Sequence, residues 1–186
     1  MTPDGRPCVC VFCGSSTRVD GRYLALGRDV GTALAAAGCD VVYGGASVGL
    51  MGAVADAALA GGSRVVGVIP HTLRNRELAH GGLTELHVVE GMAPRKALMF
   101  ERATAFLTLP GGFGTLDELF EAVTLRQIGE HGKRAAVLEF DGFWAPLLAW
   151  CKRAVDERFV PDEVAGAIEV VDGVGALVAW LASLRG

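Results

Sequence analysis

The sequence has little charge and no long apolar run. Only 20% of its 186 residues are charged, 51% are hydrophobic, and the formal net charge is −4. The longest stretches without charge, 41–55 and 103–116, contain glycines and are shorter than the ~18 residues that a membrane-spanning helix needs. There is also no basic block of the kind that binds nucleic acid. These absences argue against a membrane protein and against a nucleic-acid partner.

The sequence also lacks the cysteine pattern of a secreted protein. Its five cysteines are odd in number and lie mostly in apolar surroundings, unlike a disulfide framework. Asp4 and Gly5 interrupt the start of the chain, so no leader segment is expected, and we predict a protein of the reducing cytoplasm. The four histidines and the lone Cys10 and Cys13 pair have none of the usual metal-ligand spacings, so no metal is expected.

Short apolar runs alternate with longer stretches of helical spacing, which is typical of βαβ units. The runs predict strands at 8–13, 40–43, 64–69, 85–89, 105–109, 135–139 and 168–171. The longer stretches predict helices at 21–37, 50–60, 94–103, 115–128, 143–158 and 174–184, with an irregular active-site loop at 70–83. Most predicted strands are apolar throughout, which indicates burial on both faces. We therefore expect one α/β domain over residues 1–186, a Rossmann-like three-layer sandwich with a mostly parallel sheet.

Three of the predicted strands end in turns rich in glycine or other small residues. They are Gly14, Ser15 and Ser16 after the first strand, 44–52 after the second and 110–115 after the fifth. Ligands of such sheets bind beyond the carboxyl ends of the strands. Glycine lets backbone N–H groups approach an anion closely, and a following helix adds the positive end of its dipole. The pattern predicts a ligand that carries a phosphate.

The strongest motif is PGGFGTLDE at 110–118, between an apolar strand and an amphipathic helix. It is neither a P-loop nor GxGxxG. Thr115 and Glu118 have the spacing of a capping box, so the segment is also typical of an ordinary helix start. Carboxylates at 117, 118 and 121 beside a loop suited to an anion favour a functional interpretation instead.

PGGFGTLDE resembles the PGGxGTxxE box of the Lonely Guy family of cytokinin riboside 5′-monophosphate phosphoribohydrolases, long labelled possible lysine decarboxylases. The resemblance extends to VFCGSS at 11–16, GGASVGLMG at 44–52, GVIP at 67–70, RELAHGGLTELHVVEGM at 76–92 and Arg95-Lys96. It implies hydrolysis of the N-glycosidic bond of a nucleoside 5′-monophosphate, which releases the free base and ribose 5-phosphate. It also implies that no metal or redox cofactor takes part, and that the protein is a homodimer with its nucleotide pocket close to the partner.

Carried over residue by residue, the resemblance implies that Arg95 and Glu118 are catalytic. It implies substrate contacts for Glu77, Lys96, Gly111, Gly112, Phe113, Gly114, Thr115, Leu116, Asp117 and Thr124. The segment 92–96 departs from the family's MHxRK, because Ala93 stands in place of the histidine and Pro94 follows it. Arg95 and Lys96 keep their places, and proline suits the first turn of a helix.

The chemistry of the reaction agrees with these roles. Cleavage passes through an oxocarbenium-like sugar, so a fixed carboxylate near C1′ lowers the barrier, and Glu118 in the first helical turn would supply it. The N–H groups before it, with Lys96, would hold the 5′-phosphate. Arg95 would bind either the phosphate or the departing purine. Glu77 would accept hydrogen bonds from the ribose hydroxyls or from the base.

Other functions fit the sequence less well. Pyridoxal phosphate needs a Schiff-base lysine, and the chain has only Lys96, Lys133 and Lys152 and no large second domain to enclose that cofactor. An NAD-dependent oxidoreductase would need GxGxxG after the first strand. A non-catalytic nucleotide or molybdenum-cofactor carrier remains an alternative, although the presence of both Arg95 and Glu118 favours an enzyme. The sequence leaves open whether the substrate is AMP or an N6-prenylated AMP.

Overall fold

The computed structural model describes residues 5–74 and 79–185. Within them, strands and helices alternate along the chain. The strands are β1 (Cys8–Phe12), β2 (Asp40–Tyr43), β3 (Val65–Pro70), β4 (Glu85–Val89), β5 (Ala105–Thr108), β6 (Arg134–Glu139) and β7 (Ile168–Asp172). The helices are α1 (Gly21–Ala36), α2 (Gly49–Ala60), α3 (His71–Arg74), α4 (Met92–Arg102), α5 (Phe113–Gln127), α6 (Ala145–Asp156) and α7 (Gly173–Ala182). Short 3-10 turns lie at Asp162–Val164 and Ser183–Arg185.

The strands form one seven-stranded sheet in the order β4-β3-β2-β1-β5-β6-β7. Every pair of neighbouring strands is parallel, which confirms and sharpens the expectation of a mostly parallel sheet. All residues of β1, β2, β3 and β5 are buried, because helices cover both faces of the sheet there. The strand order reverses between β1 and β5, and a ligand crevice is expected at that place.

Alternate side chains of β1 point into two different cores. Val9 and Val11 belong to a cluster that α1, α2 and α7 complete, whereas Cys10 and Phe12 belong to a second cluster with residues of α4 and α5. A third cluster joins α5 and α6 to β6 through Leu119, Val137 and Trp144. The predicted three-layer sandwich is therefore confirmed, with α1, α2 and α7 on one face and α4, α5 and α6 on the other.

The start of α5 differs from the prediction. The helix begins at Phe113 rather than at residue 115, and its N-cap is Gly112, which has no side chain to cap it. The interpretation of Thr115 and Glu118 as a capping box is therefore wrong, and Glu118 lies in the second turn of the helix rather than in the first. The Thr115 side chain is buried against Gly111 instead, and a Cβ at Gly111 would collide with it.

Smaller differences lie elsewhere. The segment 70–83, predicted as irregular, includes the end of β3 and the one-turn helix α3. Helix α4 begins at Met92, which keeps Pro94 in its first turn. Helix α6 is two residues shorter at each end than predicted, and Arg158 beyond it has a φ of 63°, which is incompatible with a continuing helix. None of the helices in the described residues is long and apolar enough to cross a membrane.

Candidate active site

A cleft of about 330 Å³ opens at the carboxyl ends of the strands, where the strand order reverses. Its volume is at the lower end of the range for small-molecule sites. The described residues that line it come from the loop after β1 and from α2, α3, α4 and the amino end of α5. They are Cys13, Gly14, Ser15, Ser16, Met51, Leu73, Met92, Arg95, Gly112, Gly114, Thr115 and Glu118.

The loop after β1 is tied to both of its neighbours. The Gly14 N–H donates to the Pro110 carbonyl at 3.2 Å, and the Gly14 carbonyl accepts from the Leu50 and Met51 N–H groups at 3.0 and 3.3 Å. The amino end of α2 therefore uses these N–H groups to support the loop. Gly49 has a φ of 62°, and a Cβ there would lie 2.6 Å from the Ser15 carbonyl carbon. The second glycine-rich turn thus shapes the cleft wall.

The amino end of α5 has the features of an anion site. Its first intrahelical hydrogen bond runs from the Leu116 N–H to the Gly112 carbonyl at 3.1 Å, so the helix itself does not use the N–H groups that precede it. Gly112 and Gly114 line the cleft, and no atom lies within 4 Å of where their Cβ atoms would be. An anion can therefore approach this backbone closely.

Arg95 lies at the base of the cleft and is only 4% exposed. Its Nε donates to the Val68 carbonyl at 3.0 Å and its Nη2 to the Gly44 carbonyl at 3.3 Å, while Nη1 lies 3.6 Å from the Met92 sulfur. The guanidinium is thus held by a carbonyl of β3 and by that of the residue directly after β2, and it lines the cleft. A Cβ at Gly44 would collide with Nη2, so the absence of a side chain there makes room for Arg95.

Glu118 is 3% exposed, and its Oε1 lies 3.7 Å from Arg95 Nη1. This separation exceeds a hydrogen-bond distance but still places the two charges together in a site that excludes most water. Pairing is what makes a buried carboxylate tolerable, since an isolated buried charge is costly. The structure therefore brings the two predicted catalytic side chains into one cleft.

Cys13 lines the same cleft but is a poor nucleophile. Burial raises the pKa of its thiol, and the nearby negative charge of Glu118 raises it further, while Arg95 acts in the opposite direction. The thiol stays protonated at neutral pH, and the reactive species of cysteine is the thiolate.

Lys96 lies outside the cleft lining, between α4 and α5. Its Nζ contacts both carboxylate oxygens of Asp117, at 3.0 and 2.9 Å, and it also contacts Glu121. Partial burial would lower the pKa of Lys96, but hydrogen bonds to Glu121 and Asp117 outweigh that effect and the pKa is raised. The Lys96 charge is therefore engaged by two carboxylates.

The predicted substrate residues are distributed unevenly around the site. Gly112, Gly114 and Thr115 line the cleft, whereas the other predicted members of the same segment do not: Gly111, Phe113, Leu116 and Asp117. Phe113 is 95% exposed. Glu77 lies outside the described residues. Sequence reasoning missed the apolar wall of Met51, Leu73 and Met92, although two of these residues lie inside the motifs that carried the resemblance.

Thr124 lies in a different and larger cavity. This groove, of about 510 Å³, runs between α5, α6 and residues 160–170, and its lining is mostly apolar, with Phe120, Trp150 and Val170 among its members. Its lining contains neither Arg95 nor Glu118, which both line the smaller cleft. Among the described residues, no group of three or more His, Cys, Asp or Glu side chains is arranged to hold a metal ion.

Comparison with known proteins identifies relatives over most of the chain. The family described as "Possible lysine decarboxylase" matches residues 51–181. A cytokinin riboside 5′-monophosphate phosphoribohydrolase of Arabidopsis thaliana is 44% identical over 152 residues, which is 82% of this chain and 71% of that protein. One of the same name from Rhodococcoides fascians is 42% identical over 176 residues, 94% of this chain and 89% of that protein.

Solved structures with the same fold are more distant in sequence. The molybdenum cofactor binding protein of Rippkaea orientalis has a TM-score of 0.74 and 16% identity, over 97% of this chain and 98% of that chain. The molybdenum cofactor carrier protein of Chlamydomonas reinhardtii has a TM-score of 0.71 and 18% identity, over 96% and 98%. At such identities the likeness shows the fold alone. The sequence matches go further, and by them the chain belongs to the family of cytokinin riboside 5′-monophosphate phosphoribohydrolases, described as possible lysine decarboxylases.

Proposed function

We propose that this protein hydrolyses the N-glycosidic bond of cytokinin riboside 5′-monophosphates, which are N6-modified AMP, and of AMP itself. The products are the free base and ribose 5-phosphate. The observation that carries the proposal is the pair of buried side chains, Arg95 and Glu118, with 3.7 Å between Nη1 and Oε1 in a cleft at the strand-order reversal. The relatives in Arabidopsis thaliana and Rhodococcoides fascians, named for this activity, support it.

Glu118 stabilises the positive charge that develops on the sugar. As the C1′–N9 bond breaks, the ribose becomes oxocarbenium-like, and a carboxylate held beside C1′ lowers the energy of that state. Water then adds to C1′ and the departing base takes up a proton, so that the hydrolysis balances. Burial strengthens the electrostatic effect because little water screens the carboxylate, which is 3% exposed.

Arg95 serves the departing base in this proposal. Its Nε and Nη2 donate to the Val68 and Gly44 carbonyls, so Nη1, beside Glu118, is the group that would reach the departing base. A guanidinium that remains protonated there stabilises negative charge on the purine. The 5′-phosphate is bound instead by the glycine and serine side of the cleft, at Gly112 and Gly114 and at the loop of Ser15 and Ser16.

Purified protein incubated with AMP, N6-isopentenyl AMP, GMP and CMP tests this function, with free base measured by chromatography. We expect base release from the two adenine nucleotides. Glu118→Gln keeps the shape and removes the charge, so kcat should fall by about 100-fold or more. Arg95→Ala should be similarly damaging.

Val178→Ala in α7, outside both the cleft and the apolar groove, serves as the control and should keep its activity. Base release by Glu118→Gln at the wild-type rate would refute the mechanism. Unchanged nucleotides throughout, with tight binding, would support a non-catalytic carrier.

We also propose that the protein is a homodimer in the cytoplasm. The apolar groove between α5 and α6 exposes Trp150 and Val170, at 57% and 52%, and a second copy would cover them. Thr124 lies in this groove, so its predicted nucleotide contact would be made across the subunit interface. Leu119 and Met99 are fully buried within one chain, so they take no part in this surface. The free cysteines suit a reducing compartment.

A further inference from the structure

Two rows of opposite charges connect α4 and α5. The inner row is Arg95 with Glu118 in the cleft. The outer row consists of the next residue of α4, Lys96, with Asp117 and Glu121 of α5. Lys96 directly follows Arg95 in α4, and Asp117 directly precedes Glu118 in α5. Glu121 lies one turn further along α5.

The outer row is a tight contact. Lys96 Nζ lies 3.0 and 2.9 Å from the two oxygens of Asp117 and also contacts Glu121. The Lys96 side chain is 13% exposed, whereas the Asp117 and Glu121 side chains are 51% and 35% exposed. Partial burial of the ammonium reduces the screening that makes ordinary surface ion pairs weak.

This arrangement makes Lys96 a poor phosphate ligand. One ammonium group faces two carboxylates, so the three side chains together carry one net negative charge, which repels a phosphate dianion. To reach a phosphate, Lys96 would have to leave both partners. None of the three lines the cleft, whereas Arg95 and Glu118 both do.

Side chains of α4 and α5 also meet in the core beneath these charges. Met99 of α4 and Ala122 of α5 belong to the same core cluster, but the two helices do not pack closely against each other. Arg95 is anchored on its far side by the Val68 and Gly44 carbonyls. Movement of α5 would therefore change the position of Glu118 while Arg95 stayed in place.

We propose that Asp117 and Glu121 are positioning residues which, through Lys96, hold Glu118 at its working separation from Arg95. The proposal rests on the proposed hydrolase function. A shorter distance between Arg95 and Glu118 would pair the two charges directly and weaken the action of the carboxylate on the sugar. A longer distance would move the Glu118 carboxylate away from C1′. Displacements of about 1 Å can cost about 100-fold in rate.

The test compares kcat and KM of four variants with wild type on AMP and N6-isopentenyl AMP: Lys96→Met, Lys96→Arg, Asp117→Asn and the double variant Asp117→Asn with Glu121→Gln. We expect kcat to fall about tenfold in Lys96→Met and in the double variant, with KM changed less than about twofold. Lys96→Arg keeps the bridge and should retain most of the activity. Asp117→Asn alone leaves Glu121 in place and should lose less than the double variant.

The control is the exposed pair Arg153 and Glu157 on α6. Arg153→Met and Glu157→Gln should change neither constant. Thermal melting of each variant separates a folding defect from a catalytic one, and Lys96→Arg and Asp117→Asn keep the test decisive if Lys96→Met fails to fold.

A direct phosphate contact by Lys96 gives the opposite pattern. Lys96→Met would then raise KM tenfold or more, and the double variant would leave KM unchanged or lower it by freeing the ammonium. That result, or an unchanged kcat in all variants, overturns the proposal. Wild-type protein that releases no base refutes the proposed function and this proposal with it, whereas active wild type with unaffected variants refutes only the bridge.

Discussion

Arg95 is held in the cleft by two backbone carbonyls, one in β3 and one from the residue directly after β2. The Val68 carbonyl accepts from Nε at 3.0 Å, and the Gly44 carbonyl accepts from Nη2 at 3.3 Å. Hydrogen bonds from a charged donor to buried carbonyls fix the guanidinium more firmly than solvent contacts would. The position of the Arg95 guanidinium therefore depends on a neighbour that has no side chain.

Gly44→Ala tests that dependence. The new Cβ would collide with Arg95 Nη2 and lie 3.0 Å from the Met51 methyl carbon. Because the obstructing atom is the end of a flexible side chain, Arg95 can move aside while the fold survives. We expect kcat/KM to fall by about 10- to 100-fold with little change in melting temperature.

Gly132→Ala is the matched control, since no atom lies within 4 Å of its Cβ position and it lines neither the cleft nor the groove. It should behave like wild type. Equal activity of the Gly44 and Gly132 variants would mean that Gly44 does not constrain Arg95.

At the level of elements, the packing of α1 against α2 supports one wall of the cleft. They pack closely, and Gly27 and Gly31 of α1 are buried at the contact. Glycine lets two helix backbones approach each other because no side chain separates them. Since α2 in turn holds the loop of Gly14 through Leu50 and Met51, this packing reaches the wall of the cleft.

Gly31→Ala should destabilise this packing. Its Cβ would lie 2.5 Å from the Val54 carbonyl oxygen and 2.8 Å from the Ala57 Cβ, which forces the helices apart. Overpacking of this kind costs about 1–3 kcal/mol of unfolding free energy. Thermal unfolding should therefore begin several degrees lower, at about 2–4 °C per kcal/mol for a chain of this size.

Gly175→Ala in α7 is the comparison, because no atom lies near its Cβ position. There the higher helix propensity of alanine should leave the melting temperature unchanged or raise it. Equal melting temperatures for the two variants would show that α1 and α2 tolerate a larger separation.

For the whole molecule, the groove between α5 and α6 is the surface on which we expect a second copy. Light scattering coupled to gel filtration should give a mass near twice 19.4 kDa at micromolar concentration. Val170→Asp places a charge in the groove and should yield the monomer, because an unpaired charge in an apolar interface is costly.

Val178→Asp is a matched control, since Val178 is 55% exposed and lies on α7 outside the groove, against 52% for Val170. It should remain dimeric. A wild-type monomer would contradict the dimer, and a dimer that survives Val170→Asp would place its interface elsewhere.

The order and type of the main elements follow from the sequence, because apolar runs such as those of β1 and β2 are long enough to mark strands buried on both faces. The motif resemblance likewise predicted catalytic roles for Arg95 and Glu118, and the structure places both side chains in one cleft. The start of α5 was misplaced because the spacing of Thr115 and Glu118 imitates a capping box, whereas packing of Thr115 onto Gly111 allows the helix to begin earlier.

Local sequence pattern could not reveal what holds Arg95 and Glu118, the pair that we propose to be catalytic. The hydrogen-bond acceptors of Arg95 are the carbonyls of Val68 and Gly44, which are 27 and 51 residues away in the chain. Only the parallel pairing of β2 with β3 brings these two carbonyls to one guanidinium. The engagement of Lys96 by Asp117 and Glu121 likewise depends on how two helices lie over the sheet. Composition and periodicity are properties of neighbours along the chain, whereas these contacts depend on distances through space, which folding alone sets.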